Sequence, residues 1–242
     1  MFMNNLSITV IVCAYNEQVT LPGILEELTN SYYIDEIIVI NDGSTDNTGK
    51  VLENFLHEPK VKVIEFPYNR GKGYAMSGGI VEAHGDILVF VDADLVNFKE
   101  RYIVQLIQPL LKEEADMVIG QPTESIFNKL FNPLKPLSGE RAVLRKDIIH
   151  IVDKIMNTGY GVETIINLYY RANNKKIKIV HLWGLKHLIK FDKYSTNRAA
   201  YSYFHEALQI SRHVIKNYFL ILIIIRNMIG RILWRIQGLL WY

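Results

Sequence analysis

Residues 87–94 read Ile-Leu-Val-Phe-Val-Asp-Ala-Asp, an unbroken apolar run from Ile87 to Val91 that passes straight into Asp92-Ala93-Asp94. An apolar run without polar alternation is the pattern of a strand covered on both faces. Such strands belong inside parallel sheets, whose ligands collect beyond the carboxyl ends of the strands. In an extended chain residues two apart point the same way, so Asp92 and Asp94 set two like charges side by side. A pair of this kind is relieved by a cation between its members or by a proton on one of them. Hard divalent cations take carboxylate oxygens together with phosphate oxygens. Taken alone, the tripeptide also reads as a solvated strand end with turn-forming aspartates.

Upstream, the same signal recurs. Ile8 to Cys13, Glu36 to Ile40 and Val61 to Phe66 read as three further buried strands. Between them, Leu21, Ile24, Leu25 and Leu28 recur at helical spacing, with Thr20 placed as an N-cap and Pro22 in the first turn. Val51, Leu52, Phe55 and Leu56 mark a second helix, and a third spans about Tyr74 to Ala83. This alternation predicts an α/β fold with right-handed crossovers and a mostly parallel sheet. It gathers Tyr15 to Glu17, Asn41 to Asp46 and Asp92 to Asp94 into one crevice at the strand ends. Downstream the alternation weakens. Tyr102 to Leu111 and Glu163 to Arg171 read as helices, Asp116 to Ile119 and Lys176 to His181 as strands, and residues 121–138 as a long loop. From Ala199 to the end the pattern is helical.

The composition excludes several classes. Hydrophobic residues make up 49% of the 242, enough for a sizeable core rather than disorder. A net charge of +2 gives no reason to expect nucleic acid. Cys13 is the single cysteine and lies in an apolar run, so no internal disulfide forms and a buried small side chain is expected. No basic region precedes the first apolar stretch, and no run of 18 uncharged apolar residues exists, which predicts neither a signal peptide nor a simple membrane span. The expected location is the cytoplasm, at the inner face of the membrane.

Asn69-Arg70-Gly71-Lys72-Gly73 precedes the third helix. Glycines allow close approach of backbone to phosphate, and the cations and the helix N-terminus answer phosphate charge. The stretch is neither a P-loop nor a dinucleotide fingerprint, since Met76 stands where the last glycine would be. Asp42, just past the second strand, can accept from a ribose hydroxyl or a base N–H, or can build an Asx turn. Glu17 has the same two readings.

These segments together are similar to the family 2 glycosyltransferases of the GT-A fold. Val12-Cys13-Ala14-Tyr15-Asn16-Glu17, Asn41-Asp42-Gly43-Ser44-Thr45-Asp46, Asn69 to Gly73, and Gly85-Asp86 through Asp92-Ala93-Asp94-Leu95 match in order and spacing over about residues 7 to 96. The likeness is strongest to the branch of polyprenyl-phosphate sugar synthases and glucosyl-3-phosphoglycerate synthases. It implies a GT-A, Rossmann-like domain over 1–198, with a nucleotide-sugar half (1–96) and an acceptor half (97–198). It implies that Ala14, Tyr15, Glu17 and Asp42 bind the nucleoside of a UDP- or GDP-sugar, and that Lys72, Asp92 and Ala93 meet the donor phosphates. Asp92 and Asp94 would hold Mg2+ or Mn2+, with Asp94 counted as catalytic. In the second half Leu137 to Ala142, which includes Gly139, Glu140 and Arg141, looks like the family's acceptor-side loop. Gly159 to Glu163 looks like the entry to its acceptor-side helix, where Glu163 would be the catalytic base or would orient the acceptor. His187 matches a third metal ligand, with His181 as fallback. Val96-Asn97-Phe98 departs from the proline or histidine common after the Asp-x-Asp motif, which leaves the donor and the acceptor, a lipid phosphate or a small compound, open.

Residues 199–242 form the expected C-terminal extension. Tyr218 to Ile225 are apolar, and Arg226, Arg231 and Arg235 then interrupt a stretch ending Leu239-Leu240-Trp241-Tyr242. Basic residues among Ile, Leu and Trp suit a helix lying in a membrane interface; the same helix can instead pack on the domain or on a second subunit, giving a homo-oligomer. Two rival functions are a nucleotidyltransferase that makes the nucleotide-sugar, and a non-catalytic binding module of the same fold. The first lacks its glycine- and arginine-rich first loop, where Tyr15-Asn16-Glu17 stands; intact Lys72, Asp92 and Asp94 speak against the second.

Overall fold

The apolar runs become the strands of one sheet. The computed structural model describes residues 6–123, 138–187 and 215–239, with side chains throughout except at 160 and 231–239. Of the loop expected over 121–138, residues 121–122 instead complete a strand begun at Met117, and 124–137 lie outside the described residues, as do the helical pattern over 199–214, the boundary at 198/199 and the aromatic end at 241–242.

The strands are β1 (Ile8–Ala14), β2 (Glu36–Asn41), β3 (Val61–Glu65), β4 (Ile87–Asp92), β5 (Leu95–Val96), β6 (Met117–Pro122), β7 (Arg141–Leu144), β8 (Ile177–Leu182) and β9 (Lys186–His187). Seven form one sheet in the order β3-β2-β1-β4-β7-β6-β8, and β5 pairs with β9 alone. Within the large sheet β7 is antiparallel to both β4 and β6, and the other pairings are parallel. The order reverses between β1 and β4, the switch point at which such sheets open a crevice.

The helices are α1 (Leu21–Thr29), α2 (Thr48–Glu53), α3 (Lys72–Glu82), α4 (Glu100–Leu111), the short α5 (Arg145–Ile148) and α6 (Val152–Ile155), α7 (Val162–Ala172) and α8 (Tyr218–Leu239). Both faces of the sheet are covered, which explains the lack of polar alternation in its strands. On one face Val10, Val12, Val39, Val89 and Val91 meet Leu21, Leu25 and Leu28 of α1 and Ile103 and Leu106 of α4. On the other, Ile11, Ile38, Ile40, Leu88 and Phe90 meet Met76 and Ile80 of α3 and Ile165, Ile166 and Tyr170 of α7. Burial of these side chains stabilises the fold by roughly 1.5–3 kcal/mol each before the entropy of ordering is subtracted.

Three local differences from the sequence reading have physical reasons. Thr20 precedes α1 as expected, yet its hydroxyl caps no helix N–H. It donates instead to Ala93 O at 2.6 Å, tying the start of α1 to the turn after β4. The second helix stops at Glu53, so Phe55 and Leu56 fall in the turn that follows, and Leu56 is 61% exposed. β7 escaped the sequence reading because its apolar stretch is only Ala142 to Leu144, behind Arg141. Its burial comes from β4 and β6 on either side.

The C-terminal helix packs on α7, with Leu220 buried and Asn227 Nδ2 donating to Ala172 O at 2.9 Å. Tyr218, Leu222, Ile225 and Ile229 recur at helical spacing and are exposed. Among the described residues no helix is long and apolar enough to cross a membrane.

Gly79 of α3 sits where a Cβ would lie 2.5 Å from Ile11 Cγ2 and 2.9 Å from Ile40 Cδ1, whereas a Cβ on Gly23 of α1 would meet nothing within 4 Å. Helix propensity favours alanine at both by up to ~1 kcal/mol, while overpacking costs ~1–3 kcal/mol. Urea unfolding is therefore expected to show Gly79→Ala destabilised by ~1–2 kcal/mol and Gly23→Ala unchanged or slightly stabilised.

Candidate active site

Three loops at the switch point are knitted together by side-chain to backbone bonds. Asn16, in the left-handed region at φ 59, accepts Thr45 N–H on its Oδ1 at 2.8 Å, and Glu17 N–H donates to Thr48 Oγ1 at 2.9 Å. Ala14 is buried at the end of β1 and Tyr15 is 42% exposed beside it. Asp42 is 4% exposed. Its two carboxylate oxygens accept Arg70 N–H and Gly71 N–H, each at 2.8 Å. Burial pushes its carboxyl above the usual carboxylate range, against those two N–H groups and the Arg70 charge. Asp42 thus holds the Arg70-Gly71 turn. Gly43 lets that turn approach: at φ 68, a Cβ there would lie 2.2 Å from the Tyr68 carbonyl carbon.

Lys72 opens α3 directly after this turn. Its Nζ lies 2.7 Å from Asp92 Oδ1 at the end of β4 and 2.7 Å from Glu163 Oε1 in the first turn of α7. Burial alone would lower the ammonium's pKa, but Asp92 and Glu163 outweigh it and hold it well above the usual lysine range. Burial raises the Asp92 carboxyl, and Glu140 and Asp94 add to the rise against Lys72.

The other side of Asp92 is built by two segments far apart in sequence. In the β5–β9 ladder Leu95 pairs with His187, which brings His187 Nδ1 to 3.0 Å from Asp94 Oδ1. Its Nε2 lies 3.5 Å from Glu140 Oε1. Burial would depress the imidazole, but Glu140 and Asp94 overcome this and raise it well above its ordinary range. His187 in turn holds the Glu140 carboxyl below its usual range despite burial. Ser138 Oγ donates to Glu140 Oε2. Gly139 packs directly on Asp92; a Cβ there would fall 2.2 Å from Asp92 Oδ2.

Asp92, Glu140 and His187 each present one ligand atom, and these atoms all lie within 4.8 Å of one another. Glu140 Oε1 is buried without a hydrogen-bond partner among the described residues, its nearest cation being His187 at 3.5 Å. A buried carboxylate oxygen left in that state calls for a cation. Two carboxylates and an imidazole suit Mn2+ or Mg2+ on the oxygen-rich side of the ligand scale.

The structure thus brings together Lys72, Asp92, Asp94, Glu140, Glu163 and His187. Ala93 lies buried between the two aspartates with its carbonyl on Thr20. Arg141 is fully buried, its Nη2 donating to Ser138 O and its Nη1 to Asn167 Oδ1, and it backs the cluster rather than facing solvent. His181 packs its ring against Trp183 at 6.1 Å and is not in the cluster. The placement of Glu140 among the candidate ligands was not read from the sequence. No sequence signal marked it, since the close approach of Gly139 to Asp92 shows only in the structure.

The family model described as Glycosyl transferase family 2 matches residues 9–196. The chain belongs to glycosyl transferase family 2. Among its curated relatives, a dolichyl-phosphate beta-glucosyltransferase of Dictyostelium discoideum is 30% identical over 145 residues, covering 53% of this chain and 43% of that protein. A glucosyl-3-phosphoglycerate synthase of Mycobacterium tuberculosis is 27% identical over 218 residues, covering 73% of this chain and 65% of that one. The chain thus spans less than two thirds of the length of either. A crystal structure of the mycobacterial enzyme with Mn2+, UDP and glucosyl-3-phosphoglycerate superimposes with a TM-score of 0.63 at 25% identity, covering 76% of this chain and 72% of that one. Another, with Mg2+ and UDP, gives 0.61 at 26% identity with the same coverage. These neighbours share the GT-A-like sheet.

A raised histidine pKa in the folded state carries a definite sign. The stabilisation it brings is complete below the unfolded value of ~6.5 and is lost as pH rises through the higher folded value. Metal-free protein is expected to melt above its His187→Gln variant at pH 6, with the gap closing as pH rises through the raised folded value. Calorimetry that finds the gap constant with pH would refute the ion-paired imidazolium.

Proposed function

We propose that this family 2 member is a metal-dependent glycosyltransferase. It moves a sugar from a nucleoside-diphosphate sugar to a lipid phosphate or a small phosphorylated or hydroxylated acceptor. The observation that carries this reading is the meeting of Asp92, Glu140 and His187 within 4.8 Å, with Lys72 on Asp92, at the switch point of a mostly parallel sheet. Solved neighbours that hold Mn2+ or Mg2+ with UDP support it.

Asp92, Asp94 and His187 would hold the metal, with Glu140 as a further carboxylate beside them. Bound there, the ion would act as a Lewis acid that neutralises the departing diphosphate. Lys72 supplies a point charge to the same diphosphate. Tyr15 and Glu17 border the nucleoside, and Asp42 keeps the phosphate-side turn in shape behind them. Gly139 and Glu140 lie where the acceptor half closes on the donor half.

Asp94→Ala removes a metal-side carboxylate and leaves His187 without its Nδ1 partner. Donor hydrolysis or transfer in manganese is expected to fall ~100-fold or more, as for loss of groups that stabilise developing charge. An unaffected rate would sink the metal role. A thermal-shift screen of UDP- and GDP-sugars with and without manganese identifies the donor, since a ligand that binds the folded state raises its melting point.

The exposed apolar residues of α8, with Lys216 and Arg226 near them in sequence, support peripheral contact with a membrane surface at the cytoplasmic face. Truncation before Asn217 is expected to move the protein from the membrane to the soluble fraction of lysed cells. Equal membrane binding by the truncated chain would exclude α8 as the contact.

A further inference from the structure

The sequence offers Glu163 as a base or as a group that orients the acceptor, and the geometry gives it a third role. We propose that Glu163 is a positioning residue for Lys72, fixing that ammonium against the donor diphosphate across the seam between the two halves of the site. This rests on the donor-site reading above.

Three observations carry it. First, Glu163 Oε1 lies 2.7 Å from Lys72 Nζ, and the Glu163 side chain is only 8% exposed. A general base needs a lone pair aimed at the proton it takes, on a surface the acceptor can reach; this oxygen is already engaged by an ammonium. Second, an ammonium has three donors. Asp92 and Glu163 take two at 2.7 Å each, which leaves one for a phosphate oxygen. Once Asp92 shares its charge with a divalent ion, Glu163 remains to hold the lysine. A four-carbon stem left to itself would spread over many rotamers, and ordering it at the moment of binding costs affinity.

Third, the backbone is built for this reach. A Cβ on Gly73 would lie 2.4 Å from Ile155 O and 2.7 Å from Thr158 Oγ1. The N-terminus of α3 therefore presses directly on the end of α6 and the turn that leads into α7. Lys72 directly precedes Gly73, and Glu163 follows Thr158 by five residues, in the first turn of α7. The donor half supplies the lysine and the acceptor half supplies the carboxylate that aims it.

The test is a double-mutant cycle on nucleotide binding. Calorimetric titration of UDP and GDP in manganese is run on the unsubstituted protein, Glu163→Gln, Lys72→Met and the double variant. Melting curves accompany each, and Glu163→Asp serves as a charge-conserving variant. Glu163→Gln and Lys72→Met are each expected to weaken binding ~10-fold, and the double variant to lie within ~2-fold of Lys72→Met, because residues acting through one another are not additive. Glu163→Asp should recover part of the loss. With donor sugar and acceptor, Glu163→Gln should raise the donor KM and leave the shape of the kcat–pH profile unchanged. Unchanged nucleotide affinity in Glu163→Gln, with kcat down by ~100-fold or more and the acid limb of the profile gone, would make Glu163 a base and overturn the proposal. Additive losses in the cycle would overturn it too. Failure of the unsubstituted protein to bind either nucleotide is a separate result: it removes the donor-site reading itself, and this role with it.

Discussion

Charge balance in one crevice governs the site. Asp92, Asp94, Glu140 and Glu163 converge there from the end of β4, the residue pair beyond it, the lead-in to β7 and the start of α7. Four carboxylates at such close quarters repel, and burying any of them unpaired costs several kcal/mol. The protein answers with two internal cations, each a bridge. Lys72 spans Asp92 and Glu163, and His187 spans Asp94 and Glu140. Arg141 lies buried behind them. Each bridge joins the first hundred residues to the later part of the chain. The contacts that balance the carboxylates thus also tie α7 and the lead-in to β7 to the end of β4.

The parts of this legible in the sequence are those with a local cause. The apolar runs from Ile8, Glu36, Val61 and Ile87 announced strands because both faces of the sheet are covered. The turn at Arg70 to Gly73 and the pair Asp92 and Asp94 were visible because strand ends in a parallel sheet converge. Family resemblance added His187, which the β5–β9 ladder indeed carries to Asp94. What stayed hidden depends on contacts between distant residues. β7 has four residues and begins with arginine, so its place in the middle of the sheet is decided by its neighbours. Glu140 enters the ligand cluster only because β7 is there. Asp42 showed its acidic character but not its partners, since the two N–H groups it accepts lie 28 and 29 residues away.

Close packing at glycines links these distant pieces. Gly43, Gly73 and Gly139 each sit where a methyl group would strike backbone or a carboxylate. The first brings the β2 loop to the turn before α3, the second brings α3 to the entry of α7, and the third seats the lead-in to β7 on Asp92. No apolar periodicity reveals such positions, because their contribution is the absence of a side chain.

The antiparallel course of β7 has a further consequence. A parallel strand places its trailing residues at the crevice, but β7 places its leading ones there, so Ser138 to Glu140 arrive at the site before the strand begins. β6 ends at the same edge. Pro122 at the end of β6 and Ser138 ahead of β7 therefore both stand on the crevice side of the sheet. In general, doubling the length of a loop between two fixed ends costs only ~0.6 kcal/mol. The sheet therefore constrains where residues 122 and 138 stand far more than how many residues join them.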